Sequence, residues 1–218
     1  MIDLRVPSIC SLLLICCVGS GCGTSPATRY YTLTSVAPSV GPTAAAPAPS
    51  NPVPVRLEPV VIPAELDRLE LVRQDGPYRV HIADFELWAA PLDEQIRRIL
   101  SDDLATRLPP HLVADPNEPS GDEPRRLLSV AITQFYADAN CTVTLRADWT
   151  LRGPKGARER GSESMESPGR GPCMDAVSSA MPAAMSGTLA LLADRLAAAI
   201  VAQPMLAQPA AEPGPPLR

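Results

Sequence analysis

The chain has 218 residues, with 19 basic and 24 acidic side chains, a net charge of −5 and 26 prolines. That length allows one domain with a real core plus flexible ends. The mildly acidic balance argues against a nucleic-acid partner, which asks for clustered Lys and Arg.

The chain opens with an apolar run, Ile9 to Val18 (ICSLLLICCV), followed by Gly19-Ser20-Gly21 and Cys22. Ten apolar residues are too few to cross a bilayer, which needs about 20, but suit the h-region of a secretory signal over residues 1–21. Two readings stand here. In one, an ordinary signal peptide is cut near Gly21 and Cys22 is an incidental thiol. In the other, Cys22 is the first mature residue of a lipoprotein, its sulfur carrying diacylglycerol and its amine an acyl chain. Gly-Ser-Gly-Cys resembles a lipobox, with Gly19 where Leu is usual. Three chains, at about 0.8 kcal/mol per buried CH₂, make a permanent anchor. Gly23 does not carry the aspartate that retains such proteins in the inner membrane, so the expected place is the outer membrane, facing the periplasm. Residues 22–29 are then a lipidated tether.

Tyr30 to Leu33 reads as a short strand. Residues 37–54 hold six prolines in eighteen residues and no charge, and read as a disordered loop. Val55 to Ile62 reads as a strand, its end Val60–Ile62 fully apolar. Leu69–Val72 and Tyr78–Ile82 flank Asp75-Gly76, the signal of a hairpin, with His81 an exposed strand residue.

The clearest helix follows. Pro91 suits its first turn, and Leu92, Ile96, Ile99, Leu100, Leu104 and Leu108 recur at helical spacing until Pro109-Pro110. Glu94–Arg98 and Asp103–Arg107 are i,i+4 pairs assigned to its polar side. Leu127–Tyr136 and Cys141–Leu151 alternate as two strands. Beyond the turn Gly153–Gly156, the chain has the option of returning as an edge strand through Arg158 to Met165. Asp175 to Gln203 carries Val177, Met181, Ala184, Thr188, Leu191, Leu192, Leu196 and Ile200 at helical spacing. It is long enough to raise the question of a transmembrane span, but Ser, Thr, Gly187 and Pro182 dilute it, so it reads as a buried amphipathic helix. The Pro-rich remainder, 204–218, is expected to be disordered.

Removal of residues 1–21 leaves Cys22, Cys141 and Cys173. With Cys22 lipidated, the last two form an even pair in an oxidising compartment; a disulfide and two separate thiols both remain open. His81 and His111 are isolated, so no metal site is assembled. Neither G-x-S-x-G, a P-loop nor G-x-G-x-x-G occurs. Asp67, Asp102 and Asp103 read as solvated acids. No catalytic residue is identified, and the chain is not read as an enzyme; an envelope hydrolase would lack a nucleophile–base pair.

Taken together, Cys22 followed by Tyr30-Tyr31-Thr-Leu33, then Val60 to Arg68 (VVIPAELDR), then Phe85 to Leu92 (FELWAAPL) running into a helix, resemble the PqiC/YmbA-type auxiliary lipoproteins of ABC-like (MCE) lipid transport systems. Val130–Phe135, Leu145–Trp149 and Met181–Ile200 are similar to later parts of that family. The chain departs from it in the long insert at 37–54, in the missing apolar alternation over 158–172, and in Cys173-Met174 where an aromatic residue is usual. The resemblance implies an α/β single domain over residues 30–203, a mixed β-sheet packed against two long α-helices. It also implies an MCE-domain inner-membrane partner with its associated membrane subunit, outer-membrane lipid as a partner, movement of lipid between membranes, and a homo-oligomeric ring. No cofactor is implied beyond the covalent lipid on Cys22. Trp88, Pro91 and Leu92 have two readings, core packing ahead of the helix or contact with a partner. The rival to this function is a free-standing lipoprotein that binds a small apolar ligand itself.

Overall fold

The computed structural model describes residues 26–38, 53–115, 125–153, 156–168, 173 and 179–202. The signal segment with Cys22, most of the Pro-rich stretch and the tail from 204 lie outside the described residues. The elements in order are β1 (Arg29–Tyr31), β2 (Val55–Leu57), a 3-10 turn (Ala64–Leu66), β3 (Glu70–Gln74), β4 (Val80–Trp88), α1 (Leu92–Arg107), β5 (Arg126–Ala137), β6 (Val143–Arg152), β7 (Arg158–Ser167) and α2 (Ala180–Ala202).

One seven-stranded mixed sheet runs β1-β4-β3-β5-β6-β7, with β2 added to β5. The β1–β4, β2–β5 and β3–β5 pairs are parallel, and β3–β4, β5–β6 and β6–β7 are antiparallel. Three successive pieces of chain share one edge of the long β5: β2 opposite Arg126–Leu128, Val61 opposite Ala131, and Arg73 opposite Ala137. The hairpin turn after Gln74, the β5–β6 turn and Ser167 therefore lie at one end of the sheet, and Arg126, Arg152 and Arg158 at the other.

Alternation in β5 and β6 produces one buried face and one wet face, as expected of antiparallel strands covered on one side. Leu128, Val130, Phe135, Val143, Leu145 and Leu151 point into the core, whereas Arg146 and Asp148 are exposed. Thr133 is the extra residue of a bulge between Ile132 and Gln134, which lets Phe135 resume the inward position. α1 packs on α2, and α2 on β5, β6 and β7.

Three details differ from the reading of the sequence. The first strand stops at Tyr31, because Thr32 leaves the ladder and Leu33 is buried in the core. The expected strand from Val55 to Ile62 breaks after Leu57, since Pro59 has no N–H to continue the ladder. Contact returns only at Val61, which exchanges hydrogen bonds with Val130 and Ile132 yet is 63% exposed, so the segment's apolar end is only partly buried. β7, the edge strand, extends to Ser167 and pairs along its whole length with β6. It needs little apolar alternation because its residues are only half-buried or exposed.

α1 starts on Pro91, whose carbonyl accepts from Gln95 N–H at 3.1 Å, with Asp93 and Glu94 in its first turn, where the helix dipole favours acids. Its last turn ends at Leu108, extended as the residue before a proline should be. α2 is the one described helix long and apolar enough to cross a membrane, with a mean hydropathy of 1.5, but 56% of that window is buried inside the fold. Its polar residues are satisfied locally: Ser186 donates to the carbonyl of Pro182 and Thr188 to that of Ala184, both at 2.8 Å.

Candidate functional site

Residues 32–36, which carry the chain from β1 onward, form a strap along the groove between the two helices. No ladder satisfies this backbone, so buried backbone groups must find side chains instead. Gln95 Oε1 on α1 accepts from Leu33 N–H at 2.9 Å and from the Thr32 hydroxyl at 3.0 Å, while its amide donates to the carbonyl of Ala90. Ser186 Oγ on α2 accepts from Thr34 N–H at 3.1 Å. Further along, Asp103 Oδ1 accepts from the Ser35 hydroxyl at 2.6 Å and from Val36 N–H at 3.0 Å. Arg107 then closes the end of the strap. Its Nη2 donates to the Val36 carbonyl at 3.2 Å, its Nη1 to the Asp103 carbonyl at 2.9 Å, and its Nε to Asp194 of α2 at 2.5 Å.

Asp103 is fully buried, so it is not the solvated acid of α1's polar side that the sequence reading assigned. Helical spacing explains the correction. Asp103 lies seven residues after Ile96 and four after Ile99, within the apolar stripe itself. Burial pushes its carboxyl above the ordinary aspartate range, opposed by the bonds from Ser35 and Val36 and by the Arg107 charge. Its Oδ2 is buried without a hydrogen-bond partner among the described residues, which adds to the same tendency. Asp102 points to solvent as expected.

A second buried charge sits at the far end of α2. Arg126 donates to the carbonyls of Val53 at 3.1 Å and Ile200 at 3.2 Å, and burial lowers its pKa from the usual value. α2 carries no base in its own last turn, so Arg126 supplies the cation that the helix C-terminus favours. The sequence reading missed this residue because Arg126 precedes the apolar alternation of β5 and looks like a solvated strand end.

At the hairpin end of the sheet, Cys141 and Cys173 form a disulfide with Cα atoms 4.6 Å apart. Cys141 has a positive φ of 60°, and the Asp138 carboxylate accepts from the N–H groups of Asn140 and Thr142, both at 2.8 Å, shaping the turn before it. An open groove of about 270 Å³ lies beside this turn, lined by Gly76, Pro77, Tyr136, Asp138, Thr144 and Glu166 among others. The Tyr136 hydroxyl donates to Glu65 Oε1 at 2.6 Å. Burial and that carboxylate raise the tyrosine's pKa well above its usual range, and the same bond lowers that of Glu65.

Among the residues read as candidate partner contacts, Trp88 and Leu92 are each only 2% exposed. They are core groups, and the partner-contact reading is withdrawn for them: Trp88 closes β4 against the start of α1. Pro91 remains on the surface. Cys22 lies outside the described residues. The described chain joins the sheet at Arg29, three residues before the strap begins.

Residues 31–197 match the family described as the ABC-type transport auxiliary lipoprotein component. Over 95 residues the chain is 34% identical to the intermembrane transport lipoprotein PqiC of Escherichia coli (strain K12) and to that of Shigella flexneri. These alignments cover 44% of this chain and 49% of each relative, so the chain spans about half the length of the curated relatives it matches. Two solved structures share the fold. One, an uncharacterized protein, aligns with a TM-score of 0.59 at 23% identity over 82% of this chain and 99% of its own. The other, from Xanthomonas campestris, aligns with a TM-score of 0.60 at 13% identity over 80% and 95%. The family match takes in β1's last residue, the strap, the other six strands and most of α2, and this chain therefore belongs to the ABC-type transport auxiliary lipoprotein components.

Proposed function

We propose that this chain is the outer-membrane-anchored auxiliary lipoprotein of an intermembrane lipid transport system, held through a lipidated Cys22 and working beside an MCE-domain inner-membrane protein. The observation that carries the reading is the family match beginning at residue 31, nine residues after a cysteine that follows an apolar run and Gly-Ser-Gly. The name of the PqiC relatives, intermembrane transport lipoproteins, supports the transport role. The strap here would give such a tether a firm seat: a pull arriving at Arg29 is received by β1 and by side chains of both helices. The rival reading, a carrier of a small apolar ligand, draws no support from the groove beside Tyr136, whose lining includes Asp138, Thr142, Thr144 and Glu166.

Labelled palmitate should enter the wild-type protein in a diderm host and not Cys22→Ser, and the wild type should fractionate with the outer membrane. Normal labelling of Cys22→Ser would overturn the anchor. Crosslinking in the intact envelope should capture an MCE-domain protein. Capture of none, alongside stoichiometric lipid bound to the isolated chain, would favour the carrier reading.

A further inference from the structure

The direction of β1 carries information about the tether. β1 and β4 are parallel, with Arg29 opposite Glu86 and Tyr31 opposite Trp88. Followed backward from Arg29, the described chain therefore leaves β1 in the direction of the β3–β4 turn. Residues 26–28 are exposed along this course. Six residues, 23–28, separate Cys22 from Arg29, and at about 3.3 Å each they reach roughly 20 Å. From Glu86 back to Val80 is six steps of strand, roughly 20 Å, within the reach of the seven steps from Arg29 to Cys22. The chain between Arg29 and Cys22 is therefore long enough for the anchor to reach the hairpin end of the sheet.

What that turn presents is unusual for a water-facing loop. Tyr78 is 100% exposed, and Val80, Ile82 and Phe85 on the following strand are exposed as well. β1 covers only Glu86–Trp88, so among the described residues Val80–Phe85 has no strand on its outer side. The charges at the tip largely cancel, because Arg79 pairs with Asp75 at 2.5 Å. His81 and Asp84 are the other exposed polar groups of this strand. A tyrosine beside short aliphatic side chains, with little net charge, suits the interfacial layer of a bilayer, where an apolar ring is buried and its hydroxyl stays wet.

We propose that the β3–β4 hairpin turn, with Tyr78, Val80 and Ile82, is a second and non-covalent contact with the lipid surface to which Cys22 is anchored. It rests on the lipidation of Cys22 proposed above. The acyl chains already secure attachment, so the hairpin's contribution is orientation: a second contact beside the anchor holds the hairpin end of the sheet at the lipid and aims its opposite end, at Arg126, Arg152 and Arg158, away from the membrane.

The test uses the lipidated full chain in bilayers of mixed phosphatidylethanolamine and phosphatidylglycerol, with a nitroxide on Tyr78→Cys or, at the opposite end, on Ala157→Cys. Palmitate incorporation at Cys22 is checked in each preparation. The label at 78 should be accessible to oxygen and shielded from a water-soluble nickel chelate, and the label at 157 should behave the reverse way. Both labels in water on a palmitate-bearing chain would overturn the hairpin contact and leave the anchor standing. Spin–spin broadening at 78 that vanishes on dilution with unlabelled chain would assign the patch to a second copy and also overturn it. A chain without palmitate would remove the anchor reading itself, and with it this inference.

Discussion

Asp103 Oδ1 holds the backbone N–H of Val36 at 3.0 Å, across 67 residues of chain. Asp103→Ala should cost roughly 1–3 kcal/mol, because that N–H and the Ser35 hydroxyl lose their acceptor. Asp103→Asn keeps an oxygen there and removes the charge. Since burial raises the carboxyl's pKa in the folded chain, the folded state binds the proton more tightly than the unfolded state does. Wild-type stability from this group is then full below the unfolded value, about 4, and is lost as pH rises through the folded one. Thermal unfolding of both proteins across that range should show Asp103→Asn gaining on wild type as pH rises. A gap that does not move with pH would mean the carboxylate is not buried in solution.

Gly161 lies against Trp149 on the neighbouring strand, so closely that a Cβ added there would sit 2.6 Å from the indole ring. Gly161→Ala should therefore cost about 1–3 kcal/mol by overpacking. In a Trp149→Leu background the same change should cost far less, giving a coupling of roughly 0.5–3 kcal/mol by chemical denaturation. Additive effects would show that the ring does not rest on this strand.

The disulfide closes a loop with a sequence separation of 32. The chain-entropy relation assigns such a loop roughly 3–4 kcal/mol. Serine at both Cys141 and Cys173 should lower stability by about that amount, and a reductant should do the same to wild type. Thiol counting on the denatured, unreduced mature chain should find none from these two residues; two free thiols would refute the bridge.

Leu100 and Leu104 are buried on α1, and alanine at either should cost about 2–5 kcal/mol. Arg98 and Asp102 are exposed on the same helix, and alanine there should stay within about 0.5 kcal/mol. Melting temperatures of the four variants decide it. If the leucine variants melt like wild type, the stripe is not part of the core.

α1 and the strands β5 and β6 were legible because a period of 3.6 or 2 runs unbroken through Ile96–Leu104, Leu128–Ile132 and Val143–Leu151. The hairpin was legible from Asp75-Gly76, and Gly76 takes the positive φ of 84° that the turn requires. The strap was not legible. Thr32 to Val36 has no period of its own, since its course is set by Gln95, Asp103 and Ser186, residues far off in sequence. Asp103 was misassigned by weighing its charge above its position on the helix. Trp88 and Leu92 could not be allotted to core or surface, because a large apolar residue ahead of a helix serves either and only the packing decides.

The bond from Thr34 to Ser186 spans 152 residues. Its acceptor lies on α2, so this bond cannot form until α2 exists, whereas the strap's bonds to Gln95 and Asp103 need only α1. Contacts of such separation are the slow ones to form. Residues 32–36 are thus half-held by Gln95 and Asp103 until α2 folds and Ser186 completes the latch.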